Sequence, residues 1–171
     1  MLDNHHCEID LTGKNSRIAH PNVVTVHDVG FTGPERSPFI AMQLLQGWDL
    51  AEEIDDRGAM EATRALPLLI DCLAGLAEAH AQGIVHRDLK PGNLFLSAPG
   101  ADEERLYVVD FGMACVLEAE SSRITATGQF LGTPKYVSPE YVRAQTATPA
   151  LDVYQMGLIL VEMLTGEPVI D

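Results

Sequence analysis

The chain is 171 residues long, and its 11 Lys and Arg stand against 25 Asp and Glu, for a formal net charge of −14. That length supports one domain with a buried core. A surface so acidic repels nucleic acid and anionic membrane and removes both as partners through bulk charge. Three scattered cysteines, Cys7, Cys72 and Cys115, make no disulfide framework and fit a reducing, cytoplasmic setting.

At the N-terminus, Asp3, Asn4, His5 and His6 interrupt any apolar run that a secretory signal would need. His5-His6-Cys7-Glu8 lacks a second ligand pair and reads as a terminal segment, not a metal centre. The turn His20-Pro21-Asn22 feeds a β-branched strand, Val23–Val29. A polar connection, Gly30–Pro38, then leads to a second strand, Phe39–Leu44. Asp49 with Glu52 three positions on has the form of a helix-opening capping box. Leu66, Leu69, Ile70, Leu73, Leu76, Ala77 and His80 recur at three and four and predict one apolar helix face, with Gly83 as the stop.

Beyond that helix comes His86-Arg87-Asp88-Leu89-Lys90-Pro91-Gly92-Asn93. Apolar Leu94-Phe95-Leu96, a polar hairpin through Ser97–Arg105 and Leu106-Tyr107-Val108-Val109 then run into Asp110-Phe111-Gly112. Met113–Gln129 has no helical or strand period and carries Ser121, Ser122, Thr125 and Thr127. Gly132-Thr133-Pro134-Lys135-Tyr136-Val137-Ser138-Pro139-Glu140 follows. Leu151–Leu164 is apolar nearly all round, the pattern of a helix buried in a core. The most apolar stretch, Met156–Leu164, is interrupted by Glu162 and falls well short of the ~18 residues of a membrane span.

The loop and strand motifs place a base, a cation and two oxygen ligands around one transferring phosphoryl group. Such a transfer asks little covalent chemistry of a protein, so positioning and electrostatics dominate. Asp88 can accept a proton from an attacking hydroxyl, and Lys90 can reach the charge building on the phosphate. Asn93 and Asp110 offer oxygens to Mg²⁺, a hard cation that prefers them. His-Arg-Asp or Asp-Phe-Gly alone would recur by accident, but their order and strand–loop–strand setting are specific.

On these motifs the chain resembles the protein kinase superfamily. Lys90 and Gly132-Thr133-Pro134 favour the bacterial-type serine/threonine branch over the tyrosine branch. Small-molecule phosphotransferases of related fold rank behind, because they lack the Pro139-Glu140 segment. The resemblance implies an α+β fold: the last strands of the N-terminal lobe, then a mainly helical C-terminal lobe cut off after its central buried helix. Residues 19–48 would be the end of the N-lobe and the hinge, and 49–171 the C-lobe core, with catalytic loop 86–93 and activation segment 110–140. Residues 1–18 stay outside that assignment.

By the same resemblance Asp88, Lys90, Asn93 and Thr133 are catalytic, with the Thr133 hydroxyl bridging Asp88 and Lys90. Met42 is the gatekeeper, the backbone of Gln43 and Leu45 meets adenine, and Phe95 and Asp110 complete the nucleotide site. Asn93 and Asp110 hold Mg²⁺. His86 packs on Phe111, Asp152 braces the catalytic-loop backbone, and Arg87 would pair with a phosphate added to the activation segment. The implied substrates are ATP and protein Ser or Thr hydroxyls.

The sequence also departs from the family pattern. Nothing in residues 1–19 supplies a glycine-rich loop or the phosphate-binding strand lysine, and Gly13-Lys14 has the wrong setting. Glu8 lies about one turn early for the regulatory-helix glutamate, and no arginine partner for Glu140 follows it except Arg143. Three readings result: an internal fragment of a serine/threonine kinase with little activity alone, a pseudokinase that binds nucleotide without catalysis, or a kinase-like scaffold. Retention of Asp88, Lys90, Asn93 and Asp110 together favours the first.

Overall fold

The computed structural model describes residues 18–33, 37–111, 134–144 and 146–170. A hairpin comes first: β1 (Val26–Thr32) runs antiparallel to β2 (Ser37–Met42), with Val26 opposite Met42 and Thr32 opposite Ser37. The expected strand Val23–Val29 therefore starts three residues late and runs on into the supposed polar connection. The reason lies at Val23 and Val24. Both are buried; Val23 bridges Val108 in parallel, and the Val24 N–H donates to the Val108 carbonyl at 3.0 Å. At the other end β2 stops at Met42, not Leu44, and Leu44 is 89% exposed.

A second antiparallel sheet has the order β3 (Gly47–Asp49), β4 (Leu94–Ser97), β5 (Arg105–Val108), with Trp48 opposite Leu96 and Phe95 opposite Tyr107. Gly47 has φ +151°, and a Cβ there would lie 2.0 Å from the Leu96 carbonyl oxygen, so only glycine lets the chain enter β3 this close to β4. Helix α1 (Leu50–Arg57) follows directly, and the Asp49 side chain caps it by accepting the Glu52 N–H at 2.9 Å, as the Asp-x-x-Glu spacing predicts.

Helix α2 (Ala62–Ala81) ends where the sequence says it should, at Gly83, whose φ is +76° and whose N–H donates to the His80 carbonyl at 2.9 Å. Its buried face matches the predicted one only in part: Leu69 and Leu76 are buried and Leu73 packs on the core. Ala65, Leu68, Leu69, Cys72, Gly75, Leu76 and Ala79 face inward, whereas Leu66 is 42% and Ile70 61% exposed. The helix is apolar on nearly every side, so periodicity could not choose, and the small residues win where β5 and the last helix approach. Cys72 lies in that contact with its thiol donating to the Leu106 carbonyl, and burial pushes its pKa well up, which makes it inert.

Two helices close the described chain, α3 (Pro139–Ala144) and α4 (Pro149–Thr165). Leu151, Met156, Ile159 and Met163 of α4 join Leu50, Leu76, Leu89, Leu94, Leu96 and Leu106 in one core. Burying one such side chain is worth about 1.5–3 kcal/mol. The helix is apolar nearly all round, and its outer side is partly uncovered, with Val153 and Val161 58% and 43% exposed. Among the described elements, α2 is its main partner and covers one face.

Candidate active site

The segment between α2 and β4 contains one 3₁₀ turn, Pro91–Asn93, and otherwise no regular structure, so something other than a ladder must fix it. Much of that work falls to α4. The Asp152 carboxylate is fully buried and accepts the His86 N–H and the Arg87 N–H, each at 2.9 Å. His80 of α2 approaches the same carboxylate at 2.7 Å. This is the brace expected of Asp152. One turn on, Gln155 accepts the Leu89 N–H and donates to the Arg87 carbonyl, both at 3.1 Å. Arg87 takes a left-handed φ of +74°, a conformation that costs a non-glycine residue about 1–2 kcal/mol. Strain of this kind persists where surrounding groups over-determine the backbone, as Asp152 and Gln155 do here.

The loop so held carries Asp88, whose side chain is more than half exposed. Lys90 Nζ donates to Asp88 Oδ2 at 2.9 Å. Asn93 Nδ2 donates to the Asp88 backbone carbonyl at 2.6 Å and to Oδ2 at 3.1 Å. Asp88, Lys90 and Asn93 are thus brought together as expected. The amide nitrogen of Asn93 is committed to Asp88, which leaves its oxygen as the half that can ligate a cation. Thr133, the fourth expected catalytic residue, lies outside the described residues, as do Ser121, Ser122, Thr125 and Thr127.

His86 is a packed residue, not a base. Its Nε2–H donates to the Val109 carbonyl at 2.8 Å, and its ring meets Phe111 edge-on with centroids 4.8 Å apart. Burial pushes its pKa below the ordinary value, so the imidazole is neutral. The neighbouring Val109 N–H donates to the Asn93 carbonyl at 3.1 Å, tying the strand end to the loop. Asp110 then follows with φ +60°, a left-handed conformation that Asp tolerates better than most residues.

Asp110 and Phe111 line a cleft together with Ile18, Val23, Val24, Val26, Ile40 and Met42. The expected gatekeeper, Met42, and Asp110 thus line the same cleft. Gln43 donates its N–H to the Thr25 carbonyl at 2.8 Å, and Leu45 is half-buried one residue beyond exposed Leu44. Phe95 is half-buried at the centre of β4, on the face opposite Leu94 and Leu96. Gln43, Leu45 and Phe95 are not among the residues lining this cleft.

Sequence reasoning missed two features. One is Gln155, which looks like a stray polar residue in an apolar helix. The other is buried Glu53, which accepts from Trp48 Nε1 at 2.6 Å, from Arg64 at 2.7 Å and from Arg57. Burial alone would raise the Glu53 pKa, but the bonds from Arg64 and Trp48 and the two cationic charges hold it below the usual range. Arg64 also pairs with Glu104 in the β4–β5 connection, and Arg57 lies over the Trp48 ring at 4.5 Å. The network ties the segment after the expected hinge to both α1 and α2; the Glu53/Arg57 spacing of four was its one visible sign. Farther along, Ser138, the residue in place of the expected alanine, caps α3 by accepting the Tyr141 N–H at 3.1 Å.

The protein kinase domain family matches residues 3–171. The serine/threonine-protein kinase PknL of Mycobacterium tuberculosis is 41% identical over 151 residues, 88% of this chain and 36% of that protein. PknB of Mycobacterium leprae is 37% identical, over 87% of this chain and 24% of that protein. The chain thus spans about a third or less of the curated relatives it matches. Among solved structures, the Mycobacterium tuberculosis PknI kinase domain superposes with a TM-score of 0.72 at 25% identity, covering 91% of this chain and 55% of that one. Rad53 1-466 in complex with AMP-PNP gives 0.71 at 27% identity, over 90% and 36%.

Proposed function

The chain belongs to the protein kinase family, and on that premise we propose that it is the catalytic core of a serine/threonine kinase, transferring the γ-phosphoryl group of ATP to hydroxyls of a protein substrate. The observation that carries this reading is the convergence on Asp88. Lys90 and Asn93 bond its carboxylate, and Asp152 and Gln155 fix the backbone on either side. In this reading residues 19–48 are the end of the N-lobe and the hinge, and residues 49–171 the core of the C-lobe.

Asp88 accepts the proton of the attacking hydroxyl, and its exposure lets a protein side chain reach it. Lys90 stands within bonding distance of that carboxylate and can neutralise charge on the transferred group. Adenine would lie at the hinge. The Gln43 N–H is taken by Thr25, so its contact there would be through the carbonyl, with Leu45 beside it and Phe95 beneath.

The family's metal is Mg²⁺, which binds through one or two carboxylates or amide oxygens while keeping water and phosphate ligands. Asn93 Oδ1 and the Asp110 carboxylate fit that donor set. When bound, the ion would neutralise phosphate charge. The acidic surface suits a basic protein partner. Among the described residues no helix is long and apolar enough to cross a membrane.

The test is transfer of radiolabelled phosphate from Mg²⁺·ATP to a basic protein, followed by phosphoamino-acid analysis. We expect slow transfer to Ser or Thr by the 171-residue chain. Asp88→Asn should reduce it by about 10²–10⁴-fold, the usual worth of a general base, with an unchanged thermal melt. Transfer that survives the substitution would place the chemistry elsewhere, and nucleotide binding without transfer would favour the pseudokinase.

A further inference from the structure

We propose that Gln155 is a positioning residue for Asp88, acting through the two peptide units that flank it. This rests on the phosphotransfer reading above. The Arg87 carbonyl belongs to the peptide plane before Asp88, and the Leu89 N–H to the plane after it. Gln155 takes both, one through Nε2 and one through Oε1, each at 3.1 Å. The torsions that aim the Asp88 side chain therefore lie between two planes pinned by a single amide. Asp152 cannot do this, because its two backbone partners, the His86 and Arg87 N–H groups, both lie upstream of Asp88.

The residue type matters. A neutral amide offers a donor and an acceptor at once, whereas an ionised carboxylate only accepts and an aliphatic chain does neither. Gln155 is 2% exposed, so it meets no substrate, and its amide is anchored in the core by α4. Asp88, in contrast, is more than half exposed, and of the two side chains that bond its carboxylate Lys90 is 43% exposed and Asn93 is buried. Gln155 thus fixes the backbone from which the carboxylate projects, while Asn93 and Lys90 bond the carboxylate itself.

Two variants test the idea: Gln155→Met, which keeps the length and removes both hydrogen bonds, and Gln155→Ser, which leaves room for water to satisfy the freed groups and guards against misfolding. Amide hydrogen exchange is read at Leu89, with buried Val108 of β5 as the reporter of global opening. Steady-state kinetics use Mg²⁺·ATP and a basic protein. We expect faster exchange at Leu89 with Val108 unchanged, and a kcat lowered roughly 10–100-fold, the scale on which small misplacements act. KM for both substrates should stay within about twofold, because only transition-state geometry is affected.

Unchanged Leu89 exchange in folded variants overturns the proposal. So does a loss of kcat that tracks equal loss of protection at Val108, since that is general destabilisation. If the wild type transfers no phosphate, the kinase reading fails, and the Leu89 comparison alone decides whether Gln155 clamps the loop.

Discussion

The proposed catalytic loop and the β1–β2 hairpin reverse the usual link between regularity and anchoring. The loop has almost no regular backbone, yet Leu89 is fully buried within it and two buried side chains of α4 grip its peptide groups. The hairpin has a full antiparallel ladder, yet none of the β1 residues is buried, and Phe31, Phe39 and Met42 are 46%, 39% and 38% exposed. A two-stranded hairpin is marginal in water unless its side chains pack on something. Among the described residues the proposed phosphate-transfer side rests on the core, whereas the proposed base-binding side rests on a hairpin whose first strand buries no residue. Local stability follows buried contacts, not the regularity of the backbone.

The sharpest way to break that contrast is to remove the anchor. Asp152→Ala leaves the His86 and Arg87 N–H groups and His80 without their shared acceptor. Stripping one partner from a buried charged set costs about 3–5 kcal/mol. For a chain of this size that is a fall in Tm of roughly 10 °C, read from a circular dichroism melt, with transfer lost as well. A melt unchanged by the substitution would mean that the loop is held some other way.

Next in size is a pair of truncations, one in each region. Leu106→Ala empties a fully buried site in β5 and should cost about 2–5 kcal/mol in urea unfolding. Phe39→Ala removes a larger side chain from a partly exposed site in β2 and should cost clearly less, about 0.5 kcal/mol. Equal losses would show that the hairpin is anchored after all.

What could be read from the sequence divides along the same line. Asp49 and Glu52, Gly83, the loop from His86 to Asn93 and the strands around Leu94 and Leu106 were legible because their signals are local: a cap, a stop, a motif, an alternation. Pairing between distant segments was not. Val23 and Val24 look like the start of a hairpin strand, and only the Val108 backbone, far along the chain, draws them into the other sheet. The choice of Ala65, Cys72 and Ala79 over Leu66 and Ile70 as the inner face of α2 depends on how close β5 and α4 come. Asp152 could be assigned through family resemblance, but Gln155 could not, because its role exists only once α4 lies beneath the loop.

The smallest effect, and the one that probes the buried loop most gently, is its response to pH. His86 is 1% exposed and neutral, bonded through Nε2 to the Val109 carbonyl. Its Nδ1 is buried and has no hydrogen-bond partner among the described residues. Burial lowers its pKa, and the opposing pull of that carbonyl and of Asp152, Asp88 and Asp110 does not cancel the loss of hydration. The unfolded chain then binds the proton more readily than the folded one below about pH 6.5, the ordinary histidine value. Stability from this group is complete above that pH and declines as the pH falls from there towards the folded pKa, by at most about 1.4 kcal/mol per unit. His86→Tyr keeps an aromatic ring and an O–H donor near the Val109 carbonyl but does not titrate in this range. The difference in unfolding free energy between wild type and His86→Tyr, followed from pH 7.5 to 5.5, should therefore shift steadily in the variant's favour as the pH falls. A flat difference would mean that His86 gains its proton without cost, and that the packing of the loop against Phe111 is looser than its burial implies.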